Sequence, residues 1–237
     1  MDFVYGFCFY YGYFKNKNLI RHIDIFNTLK NNIFRDSNWI CIINVMIDEH
    51  HEIKRGELIN KMRVDYNISN EIIITHNFNS SGTIGGLDDT FSYLSNHNMN
   101  NFYILYFEED FYAINMEFLK ESIIQLQDDI TYVGEITYDK LSIKQTTNRG
   151  NALLKTSHSY NSDLEVWTDG GYYFTTFERL NVVKNTIGNF HCGDKSTKYN
   201  HQIDGIDYGE VGFPTRLFHN NFKFIALPRQ LYFRHDE

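Results

Sequence analysis

The chain has 237 residues, a mass of 28.1 kDa and a formal net charge of −8, from 22 basic and 30 acidic residues. A chain of this length can bury one large core, and without a basic run it lacks the electrostatic surface of a nucleic-acid-binding protein, so we expect no nucleic-acid partner. Three scattered cysteines are too few for a disulfide framework, which indicates a reducing compartment and predicts a cytoplasmic location.

The first residues, MDFVYGFCFYYGYF, are apolar, but they include Asp2, lack a basic segment and are too short to span a bilayer. We therefore expect them to form a strand, and we expect no integral membrane segment. The high content of Asn, Ile, Lys, Tyr and Phe indicates an AT-rich coding genome, such as that of a virus or an AT-rich microbe.

Strands and helices alternate through the first half of the sequence. Short apolar runs rich in β-branched and aromatic residues predict the strands, and apolar residues at helical spacing predict the helices. In chain order the predicted elements are strand Val4–Tyr10, helix Leu19–Asn32, strand Trp39–Ile47, a helix ending near Arg63, strand Glu71–Thr75, loop His76–Gly86, a helix Leu87–Ser95 begun by Asp88 and Asp89, and a strand within Asn101–Asp110.

The second half is less regular. Its predicted elements are helix Met116–Gln127, strand Ile130–Ile136, a loop or hairpin near Ser142–Asn151, strand Tyr172–Thr176, helix Phe177–Ile187, a mobile lid loop Asn189–Asp204, a helix near Tyr208–Asn220 and strand Lys223–Leu227. The alternation predicts a single-domain α/β fold with a mixed, mostly parallel sheet flanked by helices.

The run NFYILYFEED, Asn101–Asp110, ends in three consecutive acids, Glu108, Glu109 and Asp110. Its apolar part predicts a strand that is buried on both faces, so the acids lie where open α/β sheets bind ligands. Clustered carboxylates repel one another unless a cation is present, so we expect a hard divalent cation such as Mg2+ or Mn2+. A metal at a strand end suggests a substrate that carries phosphate.

Other candidate ligand contacts are predicted at the same edge of the sheet. Asp48 follows the second strand and can accept an imide N–H, while Tyr10 or Tyr11 ends the first strand and can stack on a base. The loop before the third helix combines small and amide residues, and its glycines allow close approach of the backbone to a phosphate or sugar. The candidate ligand contacts within this loop are Asn77, Asn79, Gly82, Gly85 and Gly86.

This order of features resembles the nucleotide-sugar-dependent glycosyltransferases of the GT-A fold, and most closely the family-2-like inverting enzymes, rhamnosyltransferases among them. Besides the features above, Trp167–Phe190 is similar to the family's acceptor-side segment, and Gly209–Pro228 is similar to its segment E-D-x-D followed by an arginine. The resemblance covers about Tyr5 to Pro228. It implies a Rossmann-like GT-A domain with a nucleotide-sugar-binding half, residues 1–115, and an acceptor-binding half, residues 116–237.

The resemblance also implies roles for individual residues. Aligning Arg216 with the family's arginine places Glu210 at the general base, with Asp207 as the alternative. Asp110 and Glu108 take the place of the family's D-x-D metal ligands, and His191, His201 or His235 could complete the site. The donor, a UDP- or dTDP-sugar, is expected to contact Tyr10, Tyr11, Asp48, Asn79, Gly82, Gly85, Gly86 and Glu109, and the glycan or glycoprotein acceptor to contact Trp167, Asp169, Gly170 and Gly171.

Two other functions stay open. One is a nucleotidyltransferase, although YYGYFKNKN after the first strand lacks the glycine run expected of that class. The other is a sugar-nucleotide-binding module without catalytic activity, because Glu108-Glu109-Asp110 differs from the family's metal motif.

Overall fold

The computed structural model describes residues 1–11, 16–46, 55–77, 82–136, 171–190, 202–203, 206–207, 213, 217 and 220–236. Within these residues the strands are β1 Asp2–Tyr10, β2 Trp39–Met46, β3 Ile73–Asn77, β4 Phe102–Phe107, β5 Phe111–Ala113, β6 Ile130–Ile136, β7 Tyr172–Thr176, β8 Gln202–Ile203, β9 Ile206–Asp207, β10 Lys223–Pro228 and β11 Phe233–His235. The helices are α1 Asn16–Asn32, α2 Arg55–Asp65, α3 Gly82–Asn96, α4 Phe118–Gln125, α5 Phe177–Ile187 and α6 Arg229–Tyr232.

A seven-stranded sheet organises the molecule, in the order β10-β6-β7-β4-β1-β2-β3. Strands β3, β2, β1 and β4 are mutually parallel, β10 is parallel to β6, and β7 is antiparallel to both of its neighbours. The predicted α/β class with a mixed, mostly parallel sheet is therefore confirmed. Six strands point the same way, so their carboxyl ends share one edge, where β7 begins.

Each face of the sheet buries its own apolar core. On one face, alternate β1 residues such as Tyr5 and Phe7 pack with α1, α2, α4 and the β5–β11 pair. On the other face, Val4 and Cys8 pack with α3 and α5, and with the buried residues Phe213 and Leu217. The alternation follows from the period of a strand, because successive side chains point to opposite faces.

Most predicted elements match the structure to within two or three residues, and β6, β7 and α5 have the predicted bounds. The start of the third helix was predicted wrongly, since α3 begins at Gly82 and not at Leu87. Asp88 is consequently not a cap: it is buried in α3 and forms an ion pair with Lys184 of α5. The cause is tertiary packing, which overrides the low helix propensity of glycine.

Two small strand pairs were not predicted. Residues Phe111–Ala113 pair with Phe233–His235, and Gln202–Ile203, predicted as loop, pairs with Ile206–Asp207. In the predicted helix near Tyr208–Asn220, the described residues Phe213 and Leu217 are helical and buried. Among the described residues, no helix is long and apolar enough to cross a membrane.

Candidate metal and nucleotide site

The acids after β4 lie where the strand order of the sheet reverses. From β1 the chain proceeds outward through β2 and β3, and β4 then lies on the other side of β1. In open α/β sheets, ligands bind outside the carboxyl ends of the strands at such a point of reversal. Tyr10 ends β1 at this edge of the sheet, and Glu108, Glu109 and Asp110 follow β4 there.

The three acids are not equivalent. Glu109 is 1% exposed, and its Oε2 accepts the Tyr10 N–H at 2.8 Å, so its side chain joins the ends of β1 and β4. Burial raises the pKa of Glu109 to about 8, against the opposing effect of that hydrogen bond. Glu108 and Asp110 are half-buried. Glu108 and Asp110 belong to a group of residues that could hold a cation. Glu109, which lies between them in the sequence, makes the structural contact with Tyr10 instead.

His235 of β11 completes that group. Its Nε2 lies 3.4 Å from Asp110 Oδ2, and ligand atoms of Glu108, Asp110 and His235 all lie within 4.8 Å of one another. A hydrogen bond to Asp110 raises the pKa of His235, the largest of several effects on this ring. A cation would compete with that proton for the same nitrogen. The structure thus brings together the three residues predicted as metal ligands, from sequence positions more than a hundred apart.

Two buried carboxylate oxygens here have no hydrogen-bond partner within the described part of the chain. They are Oε1 of Glu109, whose raised pKa favours the neutral carboxylic acid, and Oδ1 of Asp110. A buried oxygen left in this state is costly, and a cation at Asp110 would satisfy one of them. Two carboxylates with one imidazole form a reasonable ligand set for Mn2+, whereas Mg2+ prefers oxygen ligands alone.

His22 of α1 fixes the backbone of the acid segment, and the sequence analysis did not single it out. Its Nε2 lies 2.9 Å from the Glu109 carbonyl oxygen, which can only accept, so Nε2 carries the proton. Nδ1 then accepts the Tyr5 hydroxyl at 2.7 Å. Burial lowers the pKa of His22 to about 4, which keeps the ring neutral. The sequence does contain a signal that His22 is buried. It lies three residues after Leu19 and four before Phe26, which places it on the apolar face of α1.

The two tyrosines predicted on the nucleotide side lie on opposite faces of the sheet. Tyr10 packs on the α3 face and Tyr11 on the α1 and α2 face. The Tyr11 ring lies 5.9 Å from the Lys61 ammonium group, and a hydrogen bond to Tyr11 raises the pKa of Lys61. A single planar base can therefore be stacked by one of these rings at most.

The glycines predicted in a ligand-binding loop lie instead in the first turns of α3. A Cβ on Gly86 would collide with the Tyr106 hydroxyl and would lie 3.2 Å from Met46 Cε. Gly86 therefore allows α3 to pack closely against β4 and β2. Gly82 and Gly85 precede it in the same helix, nearer to the edge that carries the acids.

Gly171 lies beside Glu108, at the start of β7. Its carbonyl oxygen accepts the Glu108 N–H at 3.0 Å, its own N–H donates to Glu135 Oε1 at 3.1 Å, and a Cβ there would be 2.5 Å from the Phe111 ring. Glu135 is fully buried and receives two hydrogen bonds from Arg229, at 3.0 and 3.1 Å. This ion pair, also not anticipated, supports the wall of the site.

Several predicted site residues lie outside the described part of the chain. They are Asp48, Asn79, Trp167, Asp169, Gly170, His191, His201 and Glu210. Asp207 is described as part of β9, paired with Gln202. The roles predicted for these residues remain predictions.

No protein-family model matches this chain, and a search of curated proteins found no match. Similar solved structures include mouse xyloside xylosyltransferase 1 in its apo form, at 8% identity and TM-score 0.41, covering 97% of this chain and 86% of that one. Mannose-1-phosphate geranyltransferase from Thermus thermophilus is similar at 9% identity and TM-score 0.41, over 80% of this chain and 61% of that one.

A third similar structure is glucosyl-3-phosphoglycerate synthase from Mycobacterium tuberculosis with Mn2+, UDP-glucose and phosphoglyceric acid. It has 9% identity and a TM-score of 0.46, over 79% of this chain and 66% of that one. None of these three proteins is a rhamnosyltransferase, so that finer resemblance remains a prediction. The three have different activities, and the activity of this chain has to be argued from its own site.

Proposed function

We propose that this chain is a metal-dependent glycosyltransferase that moves a sugar from a UDP- or dTDP-sugar to a hydroxyl of a glycan or protein. The observation that carries the proposal is the convergence of Glu108, Asp110 and His235 at the sheet edge where the strand order reverses. Such an edge of an open α/β sheet suits a nucleotide, and two carboxylates with an imidazole suit a divalent cation beside its phosphates.

The chemistry of sugar transfer explains why a cation is needed there. The leaving group is a nucleoside diphosphate whose negative charge grows as the bond to the sugar breaks, and a bound divalent cation stabilises that charge. Glu108, Asp110 and His235 would hold the ion. We expect Mn2+ to bind more tightly than Mg2+, because one of the three ligands is a nitrogen.

The other proposed roles follow the sequence resemblance. Asp48 and one of Tyr10 and Tyr11 would contact the base, and Trp167 and Asp169 the acceptor. In an inverting reaction the acceptor hydroxyl attacks from the face opposite the diphosphate and gives its proton to a carboxylate, Glu210 or alternatively Asp207.

The metal assignment is tested by thermal unfolding with UDP and Mn2+. At 100 times Kd a ligand adds about 2.7 kcal/mol, which corresponds to roughly 5–10 °C for a chain of this size. We expect the wild type to be stabilised by UDP only when Mn2+ is present. Asp110→Asn should lose this shift, and Glu117→Gln, an exposed acid paired with Lys120, should keep it.

The same measurement separates the alternatives. Stabilisation by UTP or dTTP but not by UDP would favour a nucleotidyltransferase. A UDP shift that depends on Mn2+, together with no hydrolysis of any UDP- or dTDP-sugar tested, would favour a non-catalytic module. An Asp110→Asn variant that binds UDP and Mn2+ as the wild type does would refute the metal site.

A further inference from the structure

The strand that carries His235 is too short to fix that residue by itself. Strand β11 has three residues and, among the described strands, pairs only with β5, which also has three. An isolated pair of this length is marginally stable. At its start Phe233 is buried in the core among aromatic rings, but Arg234 and His235 are exposed. The position of the imidazole therefore depends on what holds the chain after it.

Asp236, the residue after His235, holds the chain on that side through its side chain. Its Oδ2 accepts hydrogen bonds from Arg21 at 2.7 Å and from Lys17 at 2.9 Å, and its Oδ1 accepts the Tyr112 hydroxyl at 3.1 Å. The Arg21 guanidinium also lies 3.8 Å above the centre of the Tyr112 ring. The Arg21 and Lys17 hydrogen bonds hold the pKa of Asp236 well below its ordinary value, so the group stays ionised.

The backbone of Asp236 connects these contacts to the metal ligands directly. Its N–H donates to the carbonyl oxygen of Asp110 at 2.8 Å. His235 is thereby placed between the buried Phe233 and a residue bonded to α1, to β5 and to Asp110. Helix α1 also holds the acid segment, through His22 and the Glu109 carbonyl. One helix thus fixes both segments that bring the three ligands together.

We propose that Asp236, held by Arg21 and Lys17 of α1 and by Tyr112, is a positioning residue that sets the His235 imidazole against Glu108 and Asp110. This inference rests on the metal site of the proposed function. Groups behind a metal ligand commonly change metal affinity by 10- to 100-fold when they are removed. Asp236 has no bond to the ion in this scheme, so its effect must pass through His235.

A double-mutant cycle tests that dependence. The Mn2+ dissociation constant would be measured by electron paramagnetic resonance for the wild type, His235→Ala, Asp236→Ala and the double variant. We expect Asp236→Ala to weaken Mn2+ binding about tenfold in the wild type and to have no further effect in the His235→Ala background. Asp129→Ala is the matched control. It also removes an aspartate from an ion pair, but this exposed pair with Lys223 lies at the amino end of β6, at the edge of the sheet opposite the acids. We expect this variant to bind Mn2+ as the wild type does.

The outcomes are distinct. Equal weakening by Asp236→Ala in both backgrounds, or no weakening in the wild type, would overturn the inference. Loss of Mn2+ binding in Asp110→Asn with unchanged binding in His235→Ala would leave a metal site but refute this role for Asp236. If Asp236→Ala does not fold, as judged by circular dichroism, Arg21→Met replaces it in the same cycle with the same expectation.

Discussion

The two ring nitrogens of His22 are both bonded to neutral groups, the Glu109 carbonyl and the Tyr5 hydroxyl. The ring also stacks on Phe7 at 4.5 Å between centroids. A protonated imidazole could no longer accept a hydrogen bond from the Tyr5 hydroxyl and would carry charge in an apolar core. At the scale of single residues, the acid segment is thus held by a group that must stay neutral.

This neutrality predicts a pH dependence of stability. Below about pH 6.5 the unfolded chain takes up a proton on His22, while the folded protein does so only near pH 4. The unfolded state binds more protons in this window, so the His22 contribution to stability is complete above pH 6.5 and is lost as the pH falls. Between pH 7 and pH 5 the loss is about 2 kcal/mol.

The measurement is urea unfolding of the wild type and His22→Gln at several pH values, with chelator present. Glutamine can still donate to the Glu109 carbonyl but does not titrate. We expect the stability difference between the two proteins to shrink by about 2 kcal/mol from pH 7 to pH 5. Parallel pH profiles would show that His22 is not held neutral.

At the scale of elements, the segment from β10 into α6 contributes one residue, Arg229, to the wall of the candidate site. Arg229 follows Pro228, forms a bidentate pair with Glu135 at the end of β6, and has its guanidinium 5.2 Å from the centre of the Phe111 ring. The Glu135 side chain is fully buried and also accepts the Gly171 N–H. Three segments are therefore joined through one carboxylate.

Removing the cation of this pair should be costly. Arg229→Met leaves the Glu135 carboxylate buried without its bidentate donor, so we expect a loss of about 3–5 kcal/mol in the free energy of unfolding. Lys223→Met, at the start of β10, breaks an exposed pair with Asp129 and should cost less than about 1 kcal/mol. Denaturant unfolding of both variants provides the comparison, and equal losses would contradict this account of Glu135.

At the scale of the whole molecule, the central strands of the sheet are covered by an apolar core on each face, so we expect them to be exposed only when the protein unfolds globally. Cys8 lies in β1 on the α3 face, and Cys41 lies in β2 on the α1 face. Both are free thiols, and both are at most 1% exposed. Burial raises the pKa of each thiol, which further reduces its reactivity. Neither can react while the central strands stay covered.

Thiol labelling should therefore report global unfolding. We expect Cys8 and Cys41 to be modified at the same rate in native buffer, and that rate should follow the stability measured by denaturant. Mass spectrometry of peptides after timed labelling measures the two sites separately. If Cys8 were labelled much faster than Cys41, the α3 face would open independently of the rest of the sheet.

The local elements of this fold and the place of the acids could be predicted from sequence patterns alone. Strand β4 was predicted from FYILYF, and α5 from apolar residues at helical spacing, because each pattern is complete within one short segment. The sequence also placed Glu108 and Asp110 at the carboxyl edge of the sheet, since that edge follows from the parallel order of the strands.

The packing partners of these elements became known from the three-dimensional structure and not from the sequence. The need for glycine at position 86 of α3 comes from the Tyr106 ring beneath it, and the inward turn of Glu109 is held by the Tyr10 N–H. The place of His235 depends on a strand pairing with Phe111, and that of Asp236 on α1, more than two hundred residues earlier. No local pattern encodes such contacts, because the partner groups meet only when the whole sheet has formed.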